Sequence, residues 1–332
     1  MSSRGINRGP SGRATTDVRE SRRAWTTAVA TRSATGMRGV SARTTTTTDR
    51  RDASWARDRL GARTTANRPR IGGSSSRMGA TTTRTTYVET SEGCADALVA
   101  VVKNASARAI ASRGTFSIAL AGGSLIRMLG ALKKADAEVE FGKWVVFWVD
   151  ERCVKWADAE SNFGGAKRAL FDDVDVPKSS LFAIDETLCE TNAGAAIPCA
   201  EAYEKDLRAL TPHAIELDAN GLPVFDMLLL GFGPDGHICS LFPNHELLKA
   251  TDGWILPITD SPKPPPERVT FSLPVVNAAR EKVFVASGEG KAEMTARILE
   301  EAPQDGSIPA ALVTGNVRWI IDAAAASKMR NK

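Results

Sequence analysis

The chemistry of this chain rests on a few polar residues that directly follow apolar runs. His237, one of three histidines, stands two residues after Asp235 in Gly233-Pro234-Asp235-Gly236-His237. A carboxylate beside an imidazole raises its basicity and fixes its tautomer, so the ring can take a proton from water or move one on a substrate. The bland alternative is a histidine that only bonds its own loop. Gly122-Gly123-Ser124 lies between an apolar run and a helical pattern. Glycines there let the backbone approach a ligand, and a helix start offers free N–H groups to an anion. Ser124 either caps that helix or bonds the same anion; a plain strand-to-helix turn is the competing reading. Arg152 ends the charged triplet Asp150-Glu151-Arg152. Its guanidinium fork suits phosphate, against the alternative of an ion pair with Asp150 or Glu151. Lys291 falls in the first turn of a helix after Ser287-Gly288-Glu289-Gly290, where a cation opposes the helix dipole and a bound anion would compensate. A solvated lysine is the alternative there.

Other chemistries lack their residues. No GxSxG elbow is present, which disfavours a Ser-His-Asp acyl-enzyme. The glycine loop lacks the P-loop lysine and the full GxGxxG spacing, which disfavours ATP and dinucleotides. No His, Cys and carboxylate cluster has catalytic-metal spacing, so no metal is expected. The five cysteines are thinly spread without a CxxC pair, as in a reducing compartment. Cys239 reads as a small buried residue rather than a nucleophile, and Cys189 and Cys199 as reduced thiols rather than a redox pair. Asp158, Ser161 and Asn162 suit capping of a helix beginning near Phe163 better than holding sugar hydroxyls. Arg268 and Asn277 either line the site or shape a loop.

The elements that must position these residues alternate. Phe116–Leu120, Trp144–Val149, Phe225–Leu230 and Lys282–Ala286 are apolar runs, each ending at one of the polar loops. Ala95–Ile110, the Leu125-to-Leu132 stretch and the segment after Lys291 read as helices. Pro309–Thr314 and Arg318–Ile321 read as final strands, and Ala323–Ala326 as the start of a closing helix. Continuously apolar strands have both faces covered, so the expected fold is α/β, a Rossmann-like and mainly parallel sheet between helix layers. Ligands bind beyond the carboxyl ends of such strands, which brings all four polar loops to one crevice. Pro-rich Ser261–Pro266 reads as a surface loop or lid edge.

The 332 residues carry a net charge of +4, which conceals two different polymers. Residues 1–87 hold 18 arginines, no lysine and five acids, for +13, while the remainder carries −9. The first segment also holds 18 threonines and 10 serines, with few large apolar residues and no steady period. It buries too little surface to offset the entropy of ordering. Residues 1–81 are therefore read as a disordered extension and 82–332 as the catalytic domain. Arg-rich, Ser/Thr-rich and acid-poor composition is that of an organellar transit peptide. It points to the plastid stroma, with mitochondrion or cytoplasm as alternatives, and makes the organellar import machinery a partner. The lack of lysine and of interleaved aromatics counts against a nucleic-acid-binding arm, and no apolar stretch is long enough to span a membrane.

The motifs together resemble 6-phosphogluconolactonases, lactone hydrolases of the oxidative pentose phosphate pathway. The resemblance covers roughly residues 85–328 and rests on ALAGGS (119–124), VDERCV (149–154), SNF (161–163), FDMLLLGFGPDGHICSLFP (225–243), PPERVTFSLPVVNAAR (265–280) and SGEGKAEM (287–294). It implies a fold shared with glucosamine-6-phosphate deaminases and, more distantly, ribose-5-phosphate isomerases, and an activity that needs no cofactor. It implies a small sugar-phosphate lactone as ligand, with its phosphate held by Gly122, Gly123, Ser124, Arg152 and Lys291. His237 would be the base and Asp235 its orienting partner, with Asp150, Asn162, Gly236 and Arg268 as further substrate contacts. Leu125-Ile126 replaces a common Thr-Pro, and Phe163 a frequent Tyr or Arg. The deaminase branch continues its histidine block with a glutamate that assists ring opening, where this chain has Phe242. A deaminase, or a non-catalytic sugar-phosphate-binding module, is the alternative.

Overall fold

The structure, a computed structural model, describes residues 81–190 and 194–330. The expected N-terminal extension thus lies, save its last residue, outside the described residues. In chain order the elements begin β1 (Thr82–Val88), α1 (Ser91–Arg113), β2 (Phe116–Leu120), α2 (Ser124–Leu129), β3 (Trp144–Trp148) and β4 (Asp150–Arg152). Then come α3 (Asn162–Ala166), β5 (Leu181–Phe182), α4 (Ala196–Leu210), β6 (Glu216–Leu217), β7 (Pro223–Val224) and β8 (Met227–Leu230). The chain ends with β9 (Ile255–Ile258), β10 (Arg268–Phe271), α5 (Leu273–Ala278), β11 (Lys282–Ala286), α6 (Ala292–Ala296) and β12 (Asn316–Asp322).

Strands β2, β3, β8 and β11 are buried at every position, because helices cover both faces of the sheet they form. Each large apolar side chain buried this way contributes about 1.5–3 kcal/mol. The seven-stranded sheet runs β1-β12-β11-β8-β2-β3-β5, and every pairing in it is parallel. The chain lays β2, β3 and β5 outward in one direction, then returns to lay β8, β11 and β12 in the other. The order therefore reverses between β2 and β8, and a crevice opens at the carboxyl ends of those two strands. The glycine loop after β2 and the histidine loop after β8 flank it.

A second sheet was not foreseen. Strands β4, β10 and β9 form an antiparallel trio that pairs Arg268 with Arg152, Val269 with Glu151 and Thr270 with Asp150. Phe271 N–H bonds the Val149 carbonyl at 2.7 Å, joining this trio to the end of β3.

Three expectations are corrected. Pro309–Thr314 is not a strand: Pro309–Leu312 forms a tight 3₁₀ turn, which suits a proline that has no N–H to give a ladder. Ala323–Ala326 is a turn, not a helix, closed by Asp322, whose side chain accepts from Ala325 N–H at 2.8 Å. Thr82–Val88, within the segment read as lacking any period, is an edge strand paired with β12. Its Thr-rich and mostly exposed pattern hid it.

Candidate active site

The cavity at the switch point has a volume of about 140 Å³. Gly122, Gly123, Ser124, Asp150, Arg152, Asn162, His237, Arg268 and Lys291 all line it, brought together from six separate stretches of chain. Asp235 stands behind His237. Gly236 is not among the lining residues: its N–H donates to the Gly233 carbonyl at 3.0 Å, and Ile308 packs where a side chain would sit. A substrate contact at Gly236 is therefore not what this geometry offers.

One end of the cavity is cationic. The helix α2 starts at Ser124 with Gly123 as its cap residue and no side-chain cap, so Ser124 does not cap and the first N–H groups keep no partner within the helix. Gly122 must be glycine, since a Cβ would fall 1.9 Å from Oδ1 of Asn162. The Asn162 side chain is held there by donating to the Asp150 carbonyl at 2.9 Å. Ser161 caps α3 by accepting from Gly164 N–H at 3.0 Å, as expected, whereas Phe163 packs edge-on to Trp148.

Arg152 pairs with neither neighbour in its triplet. Its Nη1 donates to the carbonyl and the carboxylate of Glu160 at 2.7 and 2.9 Å, while its buried Nε–H has no partner. Arg268 is buried and donates to the carbonyls of Lys263, Pro264 and Pro265. It thus both shapes the proline loop and faces the cavity. Burial, and then the charge of Arg152, push its guanidinium down from its ordinary value. Like charges directly opposed across a strand pair are unfavourable. Lys291 donates to the Phe232 carbonyl with its Nζ 4.7 Å from the Phe232 ring centroid. Burial chiefly, then Lys263, lowers its affinity for a proton. An anion in the cavity relieves all of these costs at once. Asn277 lies elsewhere, bonding the backbone at Leu312 and Thr314.

The other end holds the imidazole. His237 Nδ1 lies 2.5 Å from Asp235 Oδ1. With that nitrogen donating to the carboxylate, Nε2 is left as an acceptor. Gly233 makes room for the pair, since a Cβ there would lie 2.1 Å from the ring and 2.5 Å from the carboxylate. Asp235 supports protonation as expected, but burial, helped by Lys263, outweighs it and holds the imidazole below its ordinary value. Burial and Lys263 thus favour the neutral ring. Burial pushes the Asp235 carboxyl up, but its bond to His237 and the charge of Lys263 bring it below the usual range. Beneath the imidazole lies the Phe242 ring, centroids 4.7 Å apart.

Lys263 was missed. Its Nζ stands 3.1 Å from both Asp235 Oδ1 and His237 Nδ1, carried in by the Ser261–Pro266 loop. A single lysine inside Ser-Pro-Lys-Pro-Pro-Pro was the available signal. The five cysteines are buried free thiols; Cys189 and Cys199 touch, Sγ to Sγ 3.6 Å, and burial pushes Cys239 up, unlike a nucleophile. Among the described residues no group of three or more His, Cys, Asp or Glu could hold a metal ion.

A cationic crevice at the switch point of a parallel sheet, with an imidazole–carboxylate pair at its other end, makes a candidate catalytic site that suits a small anionic substrate. Residues 89–321 match the glucosamine-6-phosphate isomerases/6-phosphogluconolactonase family, and the chain belongs to it. It is 44% identical over 222 residues to the 6-phosphogluconolactonase of Rattus norvegicus, covering 65% of this chain and 81% of that protein. It is 37% identical over 246 residues to a probable chloroplastic 6-phosphogluconolactonase of Oryza sativa subsp. indica, covering 72% of this chain and 73% of the relative. The solved 6-phosphogluconolactonase of Trypanosoma brucei superposes with a TM-score of 0.64 at 26% identity, over 75% of this chain and 99% of that one.

Proposed function

We propose that this chain hydrolyses 6-phospho-D-glucono-1,5-lactone to 6-phosphogluconate, a step of the oxidative pentose phosphate pathway, with His237 as general base. The observation that carries the reading is the Asp235–His237 pair, with Nδ1 engaged, in one cavity with Arg152, Arg268 and Lys291. The names of the relatives support the same activity.

The phosphate is gripped by Arg152, Lys291 and the N–H groups of Gly122, Gly123 and Ser124. The unpartnered Nε–H of Arg152 supports this assignment, since a buried donor without an acceptor costs about 1–3 kcal/mol that a phosphate oxygen recovers. That remote grip orients the lactone carbonyl, so binding energy is used for alignment. His237 Nε2 takes a proton from water as its oxygen attacks the carbonyl carbon. Asp235 holds the ring and stabilises the imidazolium. The tetrahedral intermediate collapses by breaking the bond from that carbon to the ring oxygen, which receives the proton back from His237. Lys263, beside the pair, keeps the imidazole neutral between turnovers. Asp150 and Asn162 take sugar hydroxyls. Phe242 has no proton to give at the place where a deaminase carries its glutamate, which favours the lactonase over that branch.

The extension over residues 1–81 directs the chain to the plastid stroma through the import machinery. Its composition supports this, as does the chloroplastic name of the rice relative. A reporter fused to residues 1–81 accumulates in plastids on this reading and stays cytosolic if it is wrong. The activity is tested with the full chain and chelator present, on freshly generated lactone beside glucosamine 6-phosphate. Lactone hydrolysis above the spontaneous background without ammonia release is expected; ammonia release from the amino sugar overturns the reading.

A further inference from the structure

Glu151 is almost completely buried, yet it makes no ion pair with a side chain among the described residues. Its two oxygens face four donors instead. Oε1 accepts from the N–H groups of Arg152 and Asn162, both at 2.8 Å. Oε2 accepts from Phe163 N–H at 2.7 Å and from the Ser161 hydroxyl at 3.3 Å. The Ser161 oxygen itself accepts from Gly164 N–H, so its hydrogen is free to point at Glu151. A proton on either carboxyl oxygen would confront an N–H, so the geometry is built for the anion.

These donors belong to one member of the phosphate grip and to a turn packed against another. One is Arg152 at the end of β4. The other is the first turn of α3, whose Asn162 presses against the Cα of Gly122 and bonds the Asp150 carbonyl. We propose that Glu151 is a positioning residue that ties Arg152 and the glycine loop into one phosphate cradle, acting through the backbone of residues 152 and 161–163 without touching substrate. The proposal rests on the phosphate assignment made above and deepens it.

Burying a charge among dipoles has a counterpart in its titration. Burial pushes the Glu151 carboxyl up to about 7, against the three backbone N–H bonds that favour its charged form. The charged groups around it are Asp150 on its own strand, Arg152, Glu160 ahead of α3, and Arg268 across the strand pair. Bare Coulomb repulsion makes an anion bind more weakly as Glu151 ionises. A positioning role has the opposite sign: ionisation tightens the cradle, and the anion binds better.

Glu151→Gln in the full chain separates the two, because the amide places an N–H where a backbone N–H points. KM for the phosphorylated lactone is expected to rise about tenfold or more, as for a misplaced binding group, with kcat within a factor of about two. A kcat loss with unchanged KM, or no change in either, overturns the proposal. If the variant does not fold, the wild-type protein gives the answer through inhibition by inorganic sulfate, whose charge does not titrate in this range. Its inhibition constant is expected to fall as pH rises through about 7; a constant or rising value overturns the proposal. Wild-type protein that hydrolyses no lactone refutes the assigned function instead. Hydrolysis with a raised KM in Arg152→Ala but not in Glu151→Gln refutes only the positioning role.

Discussion

The seven-stranded and the three-stranded sheet place functional groups in different ways. In the seven-stranded parallel sheet the inner strands β2, β3, β8 and β11 are almost wholly apolar, and chemistry begins only where they stop: Gly122 after β2, His237 after β8, Lys291 after β11. In the three-stranded antiparallel sheet the charged residues are the strands. Asp150, Glu151 and Arg152 make up β4, and Arg268 opens β10. The first arrangement lets loops vary over a rigid core. The second fixes charges in ladder register, where a guanidinium can be held opposite another until an anion arrives. On the proposed mechanism the large sheet supplies the imidazole together with Lys291 and the glycine loop, and the small sheet adds Arg152 to the grip, so substitutions at His237 and Arg152 should separate kcat from KM.

The sharpest break is expected at the tip of β8. His237→Ala lowers kcat by about 10²–10⁴-fold, the usual worth of a general base, with KM little changed. Initial rates corrected for spontaneous lactone opening check this, and wild-type turnover excludes the role. Next comes Gly233→Ala, whose Cβ would displace the His237–Asp235 pair. A misplacement of that kind costs about 10²-fold in kcat. In the small sheet, Arg152→Ala raises KM for the phosphorylated lactone by about 10–100-fold, as expected for a charged hydrogen bond lost. An unchanged KM in folded protein would remove Arg152 from the phosphate site.

The smallest effect is a shift in pH. If His237 is the base, activity needs its neutral form, and the acid limb of kcat/KM is expected below the ordinary imidazole value. Lys263 helps to hold it there, and Lys263→Met eases protonation of the ring. The limb therefore moves to higher pH, and activity falls first on the acid side. A limb that stays in place, or moves down, removes Lys263 from that role.

The same contrast explains what could be read from the chain. Apolar runs ending in glycine or a charge are legible, so β2, β3, β8, β11 and the loops at their tips were found, and with them the cavity residues from Gly122 to Lys291. The second sheet was not legible, because β4 is three charged residues and β10 mixes Arg268 with Val269, Thr270 and Phe271. Nothing local distinguishes a strand arginine facing a cavity from one in an ion pair; Asp150 and Glu151 are the acids beside Arg152 in sequence, and the structure pairs it with Glu160. Lys263 escaped notice because its reach to the imidazole depends on how a proline loop folds back, a long-range fact. Gly236 is the opposite case: its place beside His237 in sequence suggests contact, whereas with its positive φ of 81° it packs against Ile308.

The central claim is that phosphate recognition and ring opening reside in separate groups of one cavity. The direct test compares kcat/KM on the 6-phosphorylated lactone and on unphosphorylated glucono-1,5-lactone for the wild-type chain, Arg152→Ala and His237→Ala. The expected result is that Arg152→Ala loses activity on the phosphorylated lactone alone, whereas His237→Ala loses a similar factor on both. Equal losses on both substrates in Arg152→Ala, or undiminished turnover in His237→Ala, would contradict it.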